Sequence, residues 1–235
     1  MRARIRQHSV ELVLSGVFLV TAAWFYNGAN WNQVSRYDQA FCFVEPGPDR
    51  FTFQINRLVW DPVRGRNTGD WATNPAHDRN LYSNKAPGPA LLAIPVYGLL
   101  YGGERLLGCK PQAALTTYVN CYLLNLAVTV LPATLSLWVF YHLLLRLFSG
   151  RRLWPTLLTV TLYFGTLMLP YSTQLWGHVT AAAFLVFGLY ALHRGGARGH
   201  FWSGLFLGVG VLCEYSLASA VLAVAVLLSA RRQFC

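Results

Sequence analysis

Asp70 and Lys85 are the side chains whose types and setting best suit reactive chemistry, with Lys85 standing directly before Ala86-Pro87-Gly88-Pro89. Around them fall Arg36 and Asp38, Tyr82 and Asn84, and further along His178 and Glu214. A lysine can neutralise a phosphate as charge develops on a departing group. A carboxylate can take the proton of an incoming hydroxyl. The combination suits group transfer away from a phosphate leaving group. Asp70 is the first choice of base and Asp38 the second. Lys85 and Arg36 would contact the phosphate, with Asn84, Tyr82, His178 and Glu214 as polar binding groups.

Each residue also has a plainer reading. Lys85 could snorkel to a membrane interface. Asp70, in Asn67-Thr68-Gly69-Asp70-Trp71, could serve a turn or a helix cap. Asp38 would sit solvated on a surface helix, and Arg36 could pair with a lipid phosphate. His178, two residues after Trp176, could only hydrogen-bond at an interface, and Glu214 could cap a short helix whose amide end attracts anions. The five cysteines form no Cys-x-x-Cys pair, which disfavours a zinc or redox site. A divalent metal has no clear ligand set. Cys42 and Cys109 could both lie outside and pair, while Cys121 and Cys213 read as small core residues.

The elements that must position these residues follow from composition. The chain has 235 residues, 54% hydrophobic and 12% charged, where a soluble domain carries about 25% charged residues. That shortfall predicts an all-α integral membrane protein. The net charge of +10 resides in short clusters at the ends of apolar runs, as topology signals do, so nucleic acid is not an expected partner. Residues 10–26 follow Arg2, Arg4 and Arg6 and predict an uncleaved first helix starting in the cytoplasm. Residues 27–86 form a polar excursion holding Asp38, Glu45, Asp49, Asp61, Asp70 and Asp78, with an amphipathic helix over 35–45 lying on the membrane and an extended piece over 51–56. Residues 90–101 are apolar but proline- and glycine-rich, which predicts a re-entrant or interfacial piece rather than a crossing.

Residues 113–147 predict one long helix, kinked at Pro132, with Arg146, Arg151 and Arg152 at its cytoplasmic end. Residues 153–169 return outward, Pro170 breaks the chain, and 175–192 go back in toward Arg194 and Arg198. Residues 201–230 are interrupted at Cys213-Glu214-Tyr215-Ser216, and a hairpin there keeps Arg231 and Arg232 inside. The expectation is one transmembrane domain over 1–235. An outer loop and juxtamembrane segment (27–112) precede a helical bundle (113–235), with about six transmembrane helices and the N-terminus inside a cytoplasmic membrane. The chain ends shortly after the last helix, which predicts the amino-terminal part of a longer protein.

Three stretches carry a family resemblance: Ser35-Arg36-Tyr37, Gly69-Asp70-Trp71 and Tyr82-Ser83-Asn84-Lys85-Ala86-Pro87-Gly88. With the Gly204–Tyr215 stretch they make the chain resemble the multi-pass C-type glycosyltransferases, which include protein O-mannosyltransferases and aminoarabinose transferases. The resemblance implies a polyprenyl-phosphate sugar donor, an outward-facing site, inversion at the sugar carbon, and a donor-phosphate contact at Lys85. It also implies an acid just before the Arg-Tyr element. Here Asn32 and Gln33 stand there, so the base moves to Asp70 or Asp38. The expected function is transfer of a sugar from a lipid-phosphate carrier to an envelope lipid, glycan or protein. The alternatives are a non-enzymatic transporter or flippase of lipid-linked sugars, and an inactive fragment.

Overall fold

A computed structural model describes residues 9–61, 64, 66–73, 80–149 and 151–233. The basic cluster before residue 9, Asp78 and Cys235 lie outside the described residues, as do the side chains of Arg231 and Arg232. The chain is mostly helical. Helix α1 spans Ser9–Trp24 and α2 spans Trp31–Val44. Two short antiparallel strand pairs follow: β1 (Trp60–Asp61) with β2 (Arg66–Asn67), and β3 (Trp71–Thr73) with β4 (Leu81–Ser83). Then come α3 (Gly88–Leu106), α4 (Ala114–Asn125), a π-helical turn (Leu126–Val130), α5 (Leu131–Leu147), α6 (Leu153–Phe164) and the short α7 (Met168–Ser172). Helices α8 (Gly177–Arg194), α9 (Gly196–Cys213) and α10 (Leu217–Gln233) complete the order. By length and composition one described helix, Ala114–Leu147, is long and apolar enough to cross a membrane.

Two apolar clusters divide the molecule. One joins α2, α3 and α4 through Tyr37, Phe41, Ala93, Tyr97, Cys121 and Leu124. The other joins α1, α5, α6 and the start of α8 through Phe18, Ala22, Ala133, Leu137, Tyr163 and Val179. The candidate residues lie where the first cluster meets the ends of α8 and α9.

Several local expectations change. The helix in the loop does not lie on a surface: ten of its fourteen residues are buried. Its polar side meets other polar groups instead of solvent. Glu45, just past its end, is fully buried and accepts from Arg57 Nη1 at 3.0 Å, Arg64 Nη2 at 2.6 Å and Tyr97 Oη at 2.6 Å. Arg57 Nε also reaches Asp49 Oδ1 at 3.0 Å. Residues 51–56 are mostly turn, and only Gln54 forms a bridge, to Tyr82.

The proline-rich piece is one continuous helix, α3. Pro87 is its N-cap and Pro89 sits in its first turn, where a missing N–H breaks no helical bond. Pro95 is accommodated inside. The irregularity near Pro132 lies just upstream: the π turn ends at Val130, and Pro132 occupies the first turn of α5. A widened turn relieves the clash that a proline ring makes with the carbonyl four residues earlier. The break expected at Pro170 occurs at 165–167, and Pro170 lies within α7. The interruption at 213–216 stands as expected, with α9 ending at Cys213 and α10 starting at Leu217. Cys42 is buried, Cys109 is exposed, and both are free thiols, so they form no disulfide.

Candidate functional site

The β3–β4 ladder brings Asp70 to Lys85. Its register sets Trp71 opposite Ser83, and Asn84 N–H donates to the Asp70 carbonyl at 3.4 Å. Lys85 Nζ then lies 3.1 Å from Asp70 Oδ1, with both side chains about three-quarters buried. The hairpin is fastened to α2 at two points. Ser35 and Ser83 hydroxyls bond at 2.9 Å, and Thr68 Oγ1 donates to the Trp31 carbonyl at 2.7 Å. Thr68 Oγ1 also accepts from the Asp70 N–H at 3.1 Å. Gly69 lies under the Trp31 ring, where a Cβ would come within 2.8 Å of ring carbon.

Arg36 sits in the second turn of α2 and is 3% exposed. Its Nη1 donates to the side-chain and main-chain oxygens of Asn32. Burial pulls the Arg36 guanidinium below its ordinary range, and the carboxylates of Glu214 and Asp70 oppose that shift. Arg36 is therefore an expensive cation, bonded to Asn32 and favoured by the field of two acids. Asn32, which replaces the acid expected from the resemblance, acts as a bracket for it.

Glu214 caps the end of α9, and His178 stands in the first turn of α8. Their side chains meet at 3.0 Å between Nδ1 and Oε2. Two glycines permit this approach. A Cβ on Gly177 would strike the Cys213 carbonyl and come within 3.3 Å of Arg36 Nη2. A Cβ on Gly88 would lie 2.5 Å from Cys213 N and from Leu212 C. The start of α3, the start of α8 and the end of α9 thus converge on one spot. Along it charges alternate from Lys85 through Asp70 and Arg36 to Glu214, whose carboxylate meets His178.

The other sequence candidates divide. Asn84 is exposed and contributes its backbone N–H to the ladder. Tyr82 lies one residue before Ser83 on β4, and alternation turns its ring to the opposite side from α2. Asp38 is buried, not solvated. Two residues beyond Arg36 it faces the other side of α2, near Cys42, whose thiol is pushed up by burial, by Asp49 and by Asp38. The structure brings Asp70, Lys85, Arg36, His178 and Glu214 together and keeps Asp38 apart. Sequence reasoning missed Asn32 as the Arg36 bracket, the two glycines, and the Glu45–Arg57–Arg64–Tyr97 network. The glycine directly preceding His178 was a readable signal. Among the described residues no group of three or more His, Cys, Asp or Glu side chains could hold a metal ion.

No protein-family model matches the chain, and neither a curated protein nor a solved structure is significantly similar to it.

Proposed function

We propose that this protein is a membrane glycosyltransferase that moves a sugar from a polyprenyl-phosphate carrier to an acceptor on the outer face of the cytoplasmic membrane. One observation carries the reading: the Lys85–Asp70 pair at 3.1 Å, with the buried Arg36 guanidinium within the electrostatic reach of Asp70 and Glu214. When the donor arrives, its phosphate competes with Asp70 for the Lys85 ammonium. Asp70 is then free to take the acceptor hydroxyl's proton. The acceptor oxygen bonds to the anomeric carbon from the side opposite the phosphate, and the carbon–oxygen bond to phosphate breaks with its electron pair. Lys85 and Arg36 stabilise the charge gathering there. The acceptor is an envelope lipid, glycan or protein.

In this reading α1, α5, α6 with α7, α8, α9 and α10 make six crossings. The run Ala114–Leu147 has 34 residues, about 51 Å at helical rise, against a hydrocarbon thickness of about 30 Å. The π turn and α5 together, residues 126–147, reach about 33 Å and suffice for the crossing. That leaves α4, α2, α3 and the β pairs on the outer side with the site. Arg146, Arg151, Arg152, Arg194 and Arg198 then fall on the inner side.

The test is reconstitution of the protein in vesicles with a labelled polyprenyl-phosphate hexose and candidate acceptors. The reading expects a new labelled glycoside and free polyprenyl phosphate. Movement of intact donor between leaflets with no glycoside formed would instead identify a transporter of lipid-linked sugars.

A further inference from the structure

Beside the charged cluster lies an aromatic surface that the proposed chemistry does not use. Tyr171 and Trp176 have ring centroids 5.1 Å apart at 20°, Trp176 and His178 5.8 Å at 17°, and Tyr171 and His178 6.1 Å at 31°. Three near-parallel rings at mutually similar spacing cannot form a column, whose outer members would be about twice as far apart. They form a shingled face. It borders a groove of 520 Å³ lined by Thr166, Leu167, Met168, Tyr171, His178 and Val179, within the roughly 300–1,000 Å³ typical of small-molecule sites.

The face is held in place from the proposed active site. Trp176 Nε1 donates to Gln174 Oε1 at 3.0 Å, and Gln33 of α2 donates to the same oxygen at 3.0 Å. Gln33 and Gln174 are buried. Glu214 Oε2 lies 3.0 Å from His178 Nδ1, so a proton on Nδ1 would face the carboxylate. In a neutral imidazole this leaves Nε2 as a hydrogen-bond acceptor, and among the described residues nothing else bonds His178. Its side chain is 48% exposed. Gly177, between Trp176 and His178, lies against Arg36, so the face is adjacent in the chain to the charged cluster.

We propose that the Tyr171–Trp176–His178 face is a carbohydrate-binding subsite that holds a pyranose ring of the acceptor. Its use for an acceptor rests on the glycosyltransferase reading; its binding of a sugar does not. Electron-rich ring faces receive the C–H side of a pyranose, and Nε2 accepts from one of its hydroxyls. A hydrocarbon chain fits the rings less well, because it would desolvate the His178–Glu214 pair with nothing to offset the loss. The acceptor class is thereby narrowed to a glycan or glycolipid.

The experiment is saturation-transfer NMR on the full chain in lipid nanodiscs, with methyl gluco-, manno- and galactopyranoside as probes and no donor present. At least one probe binds the unmodified protein. Trp176→Leu and His178→Ala each weaken it by up to about tenfold, the scale of one aromatic or hydrogen-bonded contact. Trp176→Phe retains binding, which separates loss of the face from loss of the fold. Lys85→Ala weakens donor binding and transfer but not the sugar binding read here without donor, so the two readings fail independently. Absence of binding for all three probes, or equal binding in Trp176→Leu, overturns the proposal. So does saturation of farnesol protons at the same face, lost in Trp176→Leu, with no sugar signal.

Discussion

Arg36 holds a full charge almost out of contact with solvent, and this shapes how the site behaves empty and filled. In the absence of donor Lys85 is paired with Asp70, and the fields of Glu214 and Asp70 offset part of what burial costs the guanidinium. A phosphate entering this cluster meets two cations already placed. Arg36→Lys should not substitute, because an ammonium cannot bond the Asn32 bracket and a phosphate in the planar fork that a guanidinium offers. The expected loss in transfer is about 10²-fold, the scale of one removed charge-stabilising donor, read as kcat/KM for the donor. Lys85 and Asp70 were legible as candidates because a lysine ahead of a stiff Pro-Gly-Pro is fixed in place and the preceding polar excursion brings its acids back toward it. Asp38 was misread for a physical reason. A polar helix face normally meets water, but here it meets another polar segment, and no local pattern in residues 31–44 distinguishes the two.

Packing between elements explains why the cluster forms where it does. Gly88 and Gly177 let two helix starts touch the backbone at Cys213. Gly88→Ala or Gly177→Ala should destabilise the protein by about 1–3 kcal/mol through overpacking, seen as a lower melting temperature in detergent. Gly177→Ala should also depress transfer more than Gly88→Ala, since its Cβ additionally crowds Arg36. The Glu45 network makes a second prediction. Burial alone would raise the Glu45 carboxyl, but bonds from Arg64, Tyr97 and Arg57 outweigh it and hold it below the usual carboxylate range. A depressed acid stabilises the fold above its unfolded value, about 4.3 for glutamate, and that contribution disappears as pH falls through the lower folded value. Acid melts should therefore steepen below about pH 4. In Glu45→Gln that contribution should be absent, with stability near pH 7 lower by about 3–5 kcal/mol, because the buried Arg64 and the half-buried Arg57 lose their shared carboxylate. None of this network could be read in order from the sequence: its members come from α2, the loop and α3, and only the fold brings them together.

At the scale of the molecule, the helical class and the interruption at Glu214 followed from composition and from apolar runs bounded by charge. The regularity of α3 did not, because proline in a first helical turn and proline in a broken segment look alike until the N-cap is known. The proposed topology places the α3–α4 connection outside. Cys109, exposed in that connection, should react with a membrane-impermeant maleimide on intact cells in a Cys235→Ser background. Labelling only after permeabilisation would reverse the order of crossings. The central claim is that a lipid-linked phosphate is held by Lys85 beside Asp70 while its sugar departs. It is tested most directly by measuring transfer from a labelled polyprenyl-phosphate sugar with unmodified, Lys85→Ala and Asp70→Asn proteins of matched fold and amount. The account predicts that both variants fall by about 10²-fold or more, with Lys85→Ala also weakening donor binding and Asp70→Asn sparing it. Transfer at the unmodified rate in both variants would contradict it.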